Sequence, residues 1–225
     1  MKTLILILGA GGHAKVLIDC LLHQSNVTII GILDNDTTCF DKEILGIGVL
    51  GAEDKLKDYS PNQVQLINGL GSIDIPTHRK NIFNKFKTLG YRFFSVIHPT
   101  ACVANCSQLS EGVQILAGSI IQPGCKIGNN VIVNTRATID HDCHIADHVH
   151  LAPAVAMSGN VVVGEESHIG TGAVIVQGIT IEAKCLVAAG AVVIRNMATG
   201  QRVAGVPAKK IKEDISREEL AKHFN

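Results

Sequence analysis

The sequence predicts a small α/β domain of βαβ type followed by a parallel β-helix built from six-residue repeats. Three observations carry that expectation. From Val113 the chain divides into unbroken hexads; a glycine-rich turn follows the first apolar strand; and the composition is 46% hydrophobic but only 4% aromatic, with 22 Gly and no Trp. A core without large rings must be assembled from Ile, Val, Leu and Ala, which suits thin, stacked strands.

The repeat is the strongest of the three. The hexads run VQILAG, SIIQPG, CKIGNN, VIVNTR, ATIDHD, CHIADH, VHLAPA, VAMSGN, VVVGEE, SHIGTG, AVIVQG, ITIEAK, CLVAAG and AVVIRN. Their third position is aliphatic or Met every time, from Ile115 and Ile121 through Met157 to Val193. Such a pattern places one side of a prism in each hexad, with the third residue inward, a small first residue such as Ser119, Cys125 or Ala137, and a turn at the fourth position (Gly128, Asn134, Asp140, Gly164, Gly170). Three sides close one coil, and successive coils stack by parallel pairing at about 4.8 Å. Looser hexads over residues 100–112 add a further coil.

Residues 1–97 have a different rhythm. Leu4 to Leu8 reads as a buried strand, Ala14 to His23 as a helix, and Val27 to Leu33 as a second strand. Val64 to Ile67 and Arg92 to Ile97 are further strand candidates, with a helix from Pro76 to Leu89 between them. Pro99 marks the boundary, so the domains are 1–97, 98–211 and a charged tail at 212–225.

Composition excludes several function classes. Twenty basic and twenty acidic side chains give zero net charge, which argues against a nucleic-acid or membrane-surface binder. No apolar run approaches the roughly 18 residues of a membrane span. Leu4 to Leu8 is followed at once by His13, Lys15 and Asp19 without a small-residue cleavage site, so it is not read as a signal peptide. Seven Cys form no CxxC pair and no even set, and a reducing cytoplasm is expected.

Two candidate sites stand out. Gly9-Ala10-Gly11-Gly12-His13-Ala14 fits the Rossmann dinucleotide fingerprint G-x-G-x-x-G/A, with Asp34 at the end of the second strand. Glycines let the backbone approach a phosphate at the helix N-terminus, and the acid accepts from a ribose or base. Gly69-Leu70-Gly71-Ser72 is a second ligand loop, and Arg79 could meet a phosphate. In the repeat region five His cluster (141, 144, 148, 150 and 168). A zinc site like that of the gamma-class carbonic anhydrases has to be weighed, but no three converge within one chain, and no metal is expected. His144, His148 and His168 read as solvated outward residues. His141, in Asp140-His141-Asp142, has a neighbouring carboxylate that raises imidazole basicity, as a general base requires. Gly159 lies one coil along the same corner, where its N–H could hold a developing oxyanion.

GAGGHAK, NGLGS, IHPTA, NTRATIDHDCHIADHVHLAP, SGNVVVG and GVPAKKI together resemble the NeuD/PglD-type bacterial sugar acetyltransferases over nearly the whole chain. The resemblance implies a left-handed β-helix, acetyl-CoA as cosubstrate, and a nucleotide-sugar-binding domain in front. It implies His141 as base, Asp142 as the residue that increases its basicity, and Asn134 near the reacting groups. His150 and Gly159 match contacts to the acetyl group, Thr171 and Ala189 the path of the cofactor arm, and Gly11, Gly12, His13, Asp34, Asn35 and Gly71 the nucleotide-sugar pocket. The resemblance implies a homotrimer, and because His141 and His150 are half a coil apart, a reaction that uses both takes them from adjacent subunits. The expected reaction is N-acetylation of a nucleotide-linked 4-amino-4,6-dideoxy sugar for a surface polysaccharide or glycan. Sialic acid O-acetylation and, more remotely, non-catalytic nucleotide binding are the alternatives.

Overall fold

The computed structural model describes residues 2–211; the tail expected at 212–225 lies outside them. The first unit is a five-stranded sheet. Its strands are β1 (Thr3–Leu8), β2 (Val27–Leu33), β3 (Glu43–Ile44), β4 (Ile47–Gly51) and β5 (Val64–Asn68), in the order β3-β4-β2-β1-β5. All pairs are parallel except the short β3–β4 hairpin, which lacks a strong apolar alternation and was not foreseen. Helices α1 (Gly12–Leu22) and α2 (Thr77–Thr88) cover opposite faces of the sheet. The two-residue period of β1 explains this. Ile5 and Ile7 pack with Ala14, Leu17, Ile18 and Leu21 of α1, while Leu6 and Leu8 pack with Ile82, Phe83 and Phe86 of α2.

The strand expected from Arg92 to Ile97 is cut to β6 (Val96–Ile97), with Phe93 making an isolated bridge to Leu66. The chain crosses here from one sheet to another: β6 pairs with Gln114–Ile115 of the repeat region.

The repeats wind into a three-sided parallel β-helix in which each hexad supplies a two-residue strand at its second and third positions. The first face stacks Val96–Ile97, Gln114–Ile115, Ile132–Val133, His150–Leu151, His168–Ile169, Leu186–Val187 and Arg202–Ala204. The second runs from Cys102–Val103 to Val192–Val193, and the third from Gln108–Leu109 to Thr180–Ile181. The extra coil expected over residues 100–112 is present. Third-position side chains and the small first positions (Ser119, Cys125, Ala137, Cys143, Ser167, Ala173, Cys185) are buried. Each fully buried aliphatic contributes about 1.5–3 kcal/mol.

The turn chemistry differs from expectation. The left-handed residue is the sixth of the hexad, with φ between 57° and 79° from Gly118 to Gly190, occupied by Asn130, Arg136, Asp142 and His148 among others. This conformation costs a non-glycine residue roughly 1 kcal/mol, offset because the sixth N–H reaches the preceding coil, as in Asp142 N–H to Pro123 O at 3.0 Å. Fourth positions are small for another reason: a Cβ added to Gly128 would lie 2.7 Å from the backbone of Ala146 and Asp147 in the next coil.

Outward, second-position residues show how the two units join. On the second face Cys102, Ile120 and Val174 are exposed, and on the third Gln108, Lys126 and His144. On the first face Gln114, Ile132, His150 and His168 are buried, because the α/β domain sits on that face. Val96 and Leu116 complete the α1 core. Arg79 is the knot of the junction, donating from Nη1 to Asn68 O and Leu70 O at 2.7 Å each and from Nε to Asn130 O at 3.3 Å. Lys80 pairs with Glu165 and Glu166 at 2.8 and 2.7 Å.

Candidate active site

The junction leaves a cleft of about 520 Å³ between the glycine loops and the first face, lined by Gly11, Gly12, His13, Gly71, Ser72, Asn134 and His150 among others. Six of the residues expected in the site are thereby brought together, four from the α/β domain and two from the β-helix. The loop after β1 enters α1 with Gly11 as N-cap and no side-chain cap, so the first N–H groups of the helix are left for a ligand. Asp34 lies below that loop: Oδ2 accepts from Ala10 N–H at 2.6 Å and Oδ1 from Asp36 N–H at 2.8 Å, so it braces the loop's backbone. Asn35 is apart from this cleft. It lines a second depression of about 610 Å³ with Leu56, Lys57 and Phe86, and its Oδ1 accepts from Glu53 N–H at 3.2 Å.

The imidazoles in the cleft are neutral. Burial, then the Arg79 charge, lowers His13 to about 4, against a hydrogen bond to Gln114 that raises it. Gln114 Nε2 donates to Asn68 O at 2.8 Å, so its Oε1, 2.7 Å from His13 Nε2, accepts and the His13 proton sits on Nε2. His150 is held well below the usual imidazole range, by burial first and then by His168, His13 and Arg79. His168 is lowered to about 4 by burial. Its ring stands edge-on to that of His150, with centroids 4.9 Å apart.

Three expectations are corrected at the covered face. His168 is buried against His150, and His148 is buried against the Phe83 ring and bonded to Asn130 at 3.0 Å, so only His144 of the three is solvated. Arg79 is fully buried and meets backbone carbonyls rather than a phosphate. The outward column Gln114, Ile132, His150, His168 carries no signal of its burial in the sequence, for the third face's column with Gln108, Lys126 and His144 is as polar and is solvated.

His141 lies elsewhere, at the corner between the second and third faces, opposite the first. Its Nδ1 is 2.9 Å from Asp142 Oδ2, and its N–H is bound by Asp140 Oδ1 at 2.8 Å. The hydrogen bond to Asp142 is the largest cause raising its basicity above that of a free imidazole. With Nδ1 protonated toward Asp142, the Nε2 lone pair is available. The ring covers Gly159, where an added Cβ would lie 2.5 Å from Cε1 and Nε2. Among the described residues the Gly159 N–H has no acceptor. Gly159→Ala should displace the imidazole by a few tenths of an ångström or more and cut turnover about 100-fold with little change in melting temperature. Steady-state kinetics beside thermal denaturation checks this. Thr171 and Ala189 fall at the corner between the first and second faces, one coil apart, with Gly190 N–H bonded to Thr171 O at 2.8 Å. Within one chain, therefore, His141 and Gly159 flank one edge of the second face, and Asn134, Thr171 and Ala189 flank the other. Among the described residues no group of three or more His, Cys, Asp or Glu is placed to hold a metal ion, and none of the helices is long and apolar enough to cross a membrane.

A hexapeptide β-helix carrying a glycine-loop α/β domain on one face defines the class of hexapeptide-repeat acyltransferases. The PglD N-terminal domain profile matches residues 4–86 and the bacterial transferase hexapeptide (six repeats) profile residues 106–141. The acetyltransferase domain of PglB from Neisseria gonorrhoeae, in complex with acetyl coenzyme A, is 33% identical with a TM-score of 0.86, covering 94% of this chain and 100% of its own. PerB from Caulobacter crescentus, in complex with CoA and GDP-perosamine, is 35% identical with a TM-score of 0.85, covering 92% and 97%. WeeI from Acinetobacter baumannii, at 22% identity, shares the fold with a TM-score of 0.84 over 93% and 100%. The chain belongs to the NeuD/PglD-type family of sugar acetyltransferases, left-handed β-helix enzymes that use acetyl-CoA.

Proposed function

We propose that this enzyme N-acetylates the amine of a nucleotide-linked amino-sugar, with residues 1–97 holding the nucleotide-sugar and 98–211 carrying out transfer. The observation that carries the reading is the shared cleft, in which Gly11, Gly12, His13 and Gly71 face Asn134 and His150. A sugar anchored by its nucleotide at the glycine loops would project its amine toward the β-helix. The GDP-perosamine complex of PerB supports the same substrate class.

The chemistry is direct attack. The amine nitrogen bonds to the thioester carbonyl carbon, Nε2 of His141 takes its proton, and the carbon–sulfur bond breaks as CoA leaves and is protonated by the imidazolium. The Gly159 N–H, without an acceptor of its own, stabilises the oxyanion, and Thr171 and Ala189 border the pantetheine arm. Because His141 and His150 occupy opposite parts of the prism, one reaction can use both only if a second copy supplies one of them. The second face is suited to that contact, for its outward column is Cys102, Ile120, Thr138, Ala156, Val174 and Val192. Three-fold packing of this face places one copy's His141 corner beside its neighbour's cleft.

The test is acetyl-CoA with a panel of GDP-, UDP- and dTDP-linked amino-sugars, following free thiol. Rapid release with at least one amino-sugar and none with the matching hydroxyl sugar is expected; no release with any would overturn the reading. The pH profile provides a second check. Only neutral His141 accepts a proton and Asp142 stabilises the charged form, so kcat/KM should rise with pH through a midpoint above the ordinary value of about 6.5. In Asp142→Asn the midpoint should move down toward that value while the plateau falls about 10-fold.

A further inference from the structure

The Ser158–Gly159 peptide carries the N–H assigned to the oxyanion, and a buried thiol holds it. The peptides on either side are pinned by neighbouring coils: Ser158 N–H donates to Ile175 O at 3.0 Å and Asn160 N–H to His141 O at 2.9 Å. Between them, Ser158 O has one donor among the described residues, the buried Cys143 of the preceding coil, whose Sγ lies at 3.3 Å. A trans peptide points its C=O and N–H in opposite directions. Holding the carbonyl inward therefore turns the Gly159 N–H outward, where it has no acceptor among the described residues.

Comparable turns show what the thiol replaces. Above Ala137 and Ala173, the turns Ala152–Val155 and Ala188–Ala191 close on themselves, the last N–H donating to the first O at 3.3 Å in each. At Ser158–Val161 that bond is absent, and the Val161 N–H lies against the Cys143 sulfur instead. Ser167 bridges the turn Glu182–Cys185 in the same way, its Oγ donating to Glu182 O at 3.0 Å and accepting from Cys185 N–H at 3.1 Å. Ser119 and Cys185 only add to a direct bond. The Cys143 hydrogen has two acceptors in reach, Ser158 O and the Cys125 sulfur. Oxygen is the stronger acceptor, and Cys125 gives its own hydrogen to Asp140 O at 3.0 Å. Contact with Cys125, then burial, raises Cys143 above the ordinary thiol range, so the sulfur keeps its hydrogen.

We infer that Cys143 is a positioning residue: its thiol bridges the Ser158–Val161 turn and fixes the tilt of the Ser158–Gly159 peptide, aiming the Gly159 N–H at the thioester oxygen. The role in transfer rests on the proposed function; the bridging of the turn does not. With both neighbouring peptides pinned, this tilt is the one freedom left to the peptide plane. Without the thiol, the Val161 N–H takes the carbonyl directly, and the Gly159 N–H swings with it, away from the developing charge.

The test compares wild type with Cys143→Ala and Cys143→Ser as the full chain, by crystal structure and by thiol-release kinetics with acetyl-CoA and GDP-perosamine. Alanine already fills the corresponding hexad position at residues 137 and 173, so the prism tolerates it. In Cys143→Ala the Val161 N to Ser158 O distance should close into hydrogen-bond range. Its kcat should fall about 10-fold with the acetyl-CoA KM unchanged, part of the roughly 10²–10³ lost with a whole oxyanion donor. Cys143→Ser, which supplies the bridge seen at Ser167, should keep the turn open and restore kcat. An open turn in Cys143→Ala, a closed one with undiminished kcat, or Cys143→Ser as slow as Cys143→Ala would each overturn the inference. Should GDP-perosamine fail as acceptor, the crystal structures still decide whether Cys143 sets the turn, while the amino-sugar panel decides the function.

Discussion

His141→Ala should lose about 10³-fold in turnover, within the 10²–10⁴ range of a general base, while the protein folds and binds acetyl-CoA as before. The imidazole is half exposed on a corner and contributes nothing to the prism core, so its removal leaves the fold intact. What is lost is the base of the proposed mechanism: Nε2, free because Nδ1 is engaged by Asp142. Thiol-release kinetics with calorimetric titration of acetyl-CoA checks both halves. A residual rate above a tenth of wild type would remove His141 from the mechanism.

The second large effect is on folding. Gly128→Val should cost about 3 kcal/mol or more, enough to deplete the folded state of an ordinary domain. Here the added Cβ meets the main chain of the following coil, at Ala146 C and Asp147 N. Neither can retreat without breaking the 4.8 Å stacking that all later coils inherit. At Gly159 the obstacle is a side chain, which swings away. The same addition of carbon thus harms chemistry at one glycine and folding at the other. Urea denaturation of the two variants separates them: a lowered midpoint is expected for Gly128→Val and a near-native one for Gly159→Ala.

The prism was legible in the sequence because its cause is local. One inward aliphatic every six residues is a pattern that no tertiary contact has to reveal, and it located every two-residue strand from Gln114 to Val193. The βαβ start was legible for the same reason. What escaped was set by docking. Nothing local distinguishes His168 from His144, each an outward second-position histidine; only the α/β domain seated on the first face buries one and leaves the other in water. Arg79 was misread because a buried guanidinium that donates from Nε and Nη1 to three backbone carbonyls has no sequence signature. The αL residue was misplaced because Arg136, Glu166 and Lys184 do not look like turn formers; inter-coil hydrogen bonds impose the conformation on them. The grouping of Gly11, Gly12, His13 and Gly71 with Asn134 and His150 was expected from resemblance alone, and the junction supplies its physical basis.

The claim on which the mechanism depends is that each site takes His141 from one copy and His150 from another. Mixing the inactive variants His141→Ala and His150→Ala, unfolding and refolding them together, tests it directly. In a cyclic assembly with random 1:1 reassortment each site draws both intact halves about one time in four, so about a quarter of the wild-type rate should return. A mixture as inactive as its parents, with reassortment verified by mass, would contradict the account.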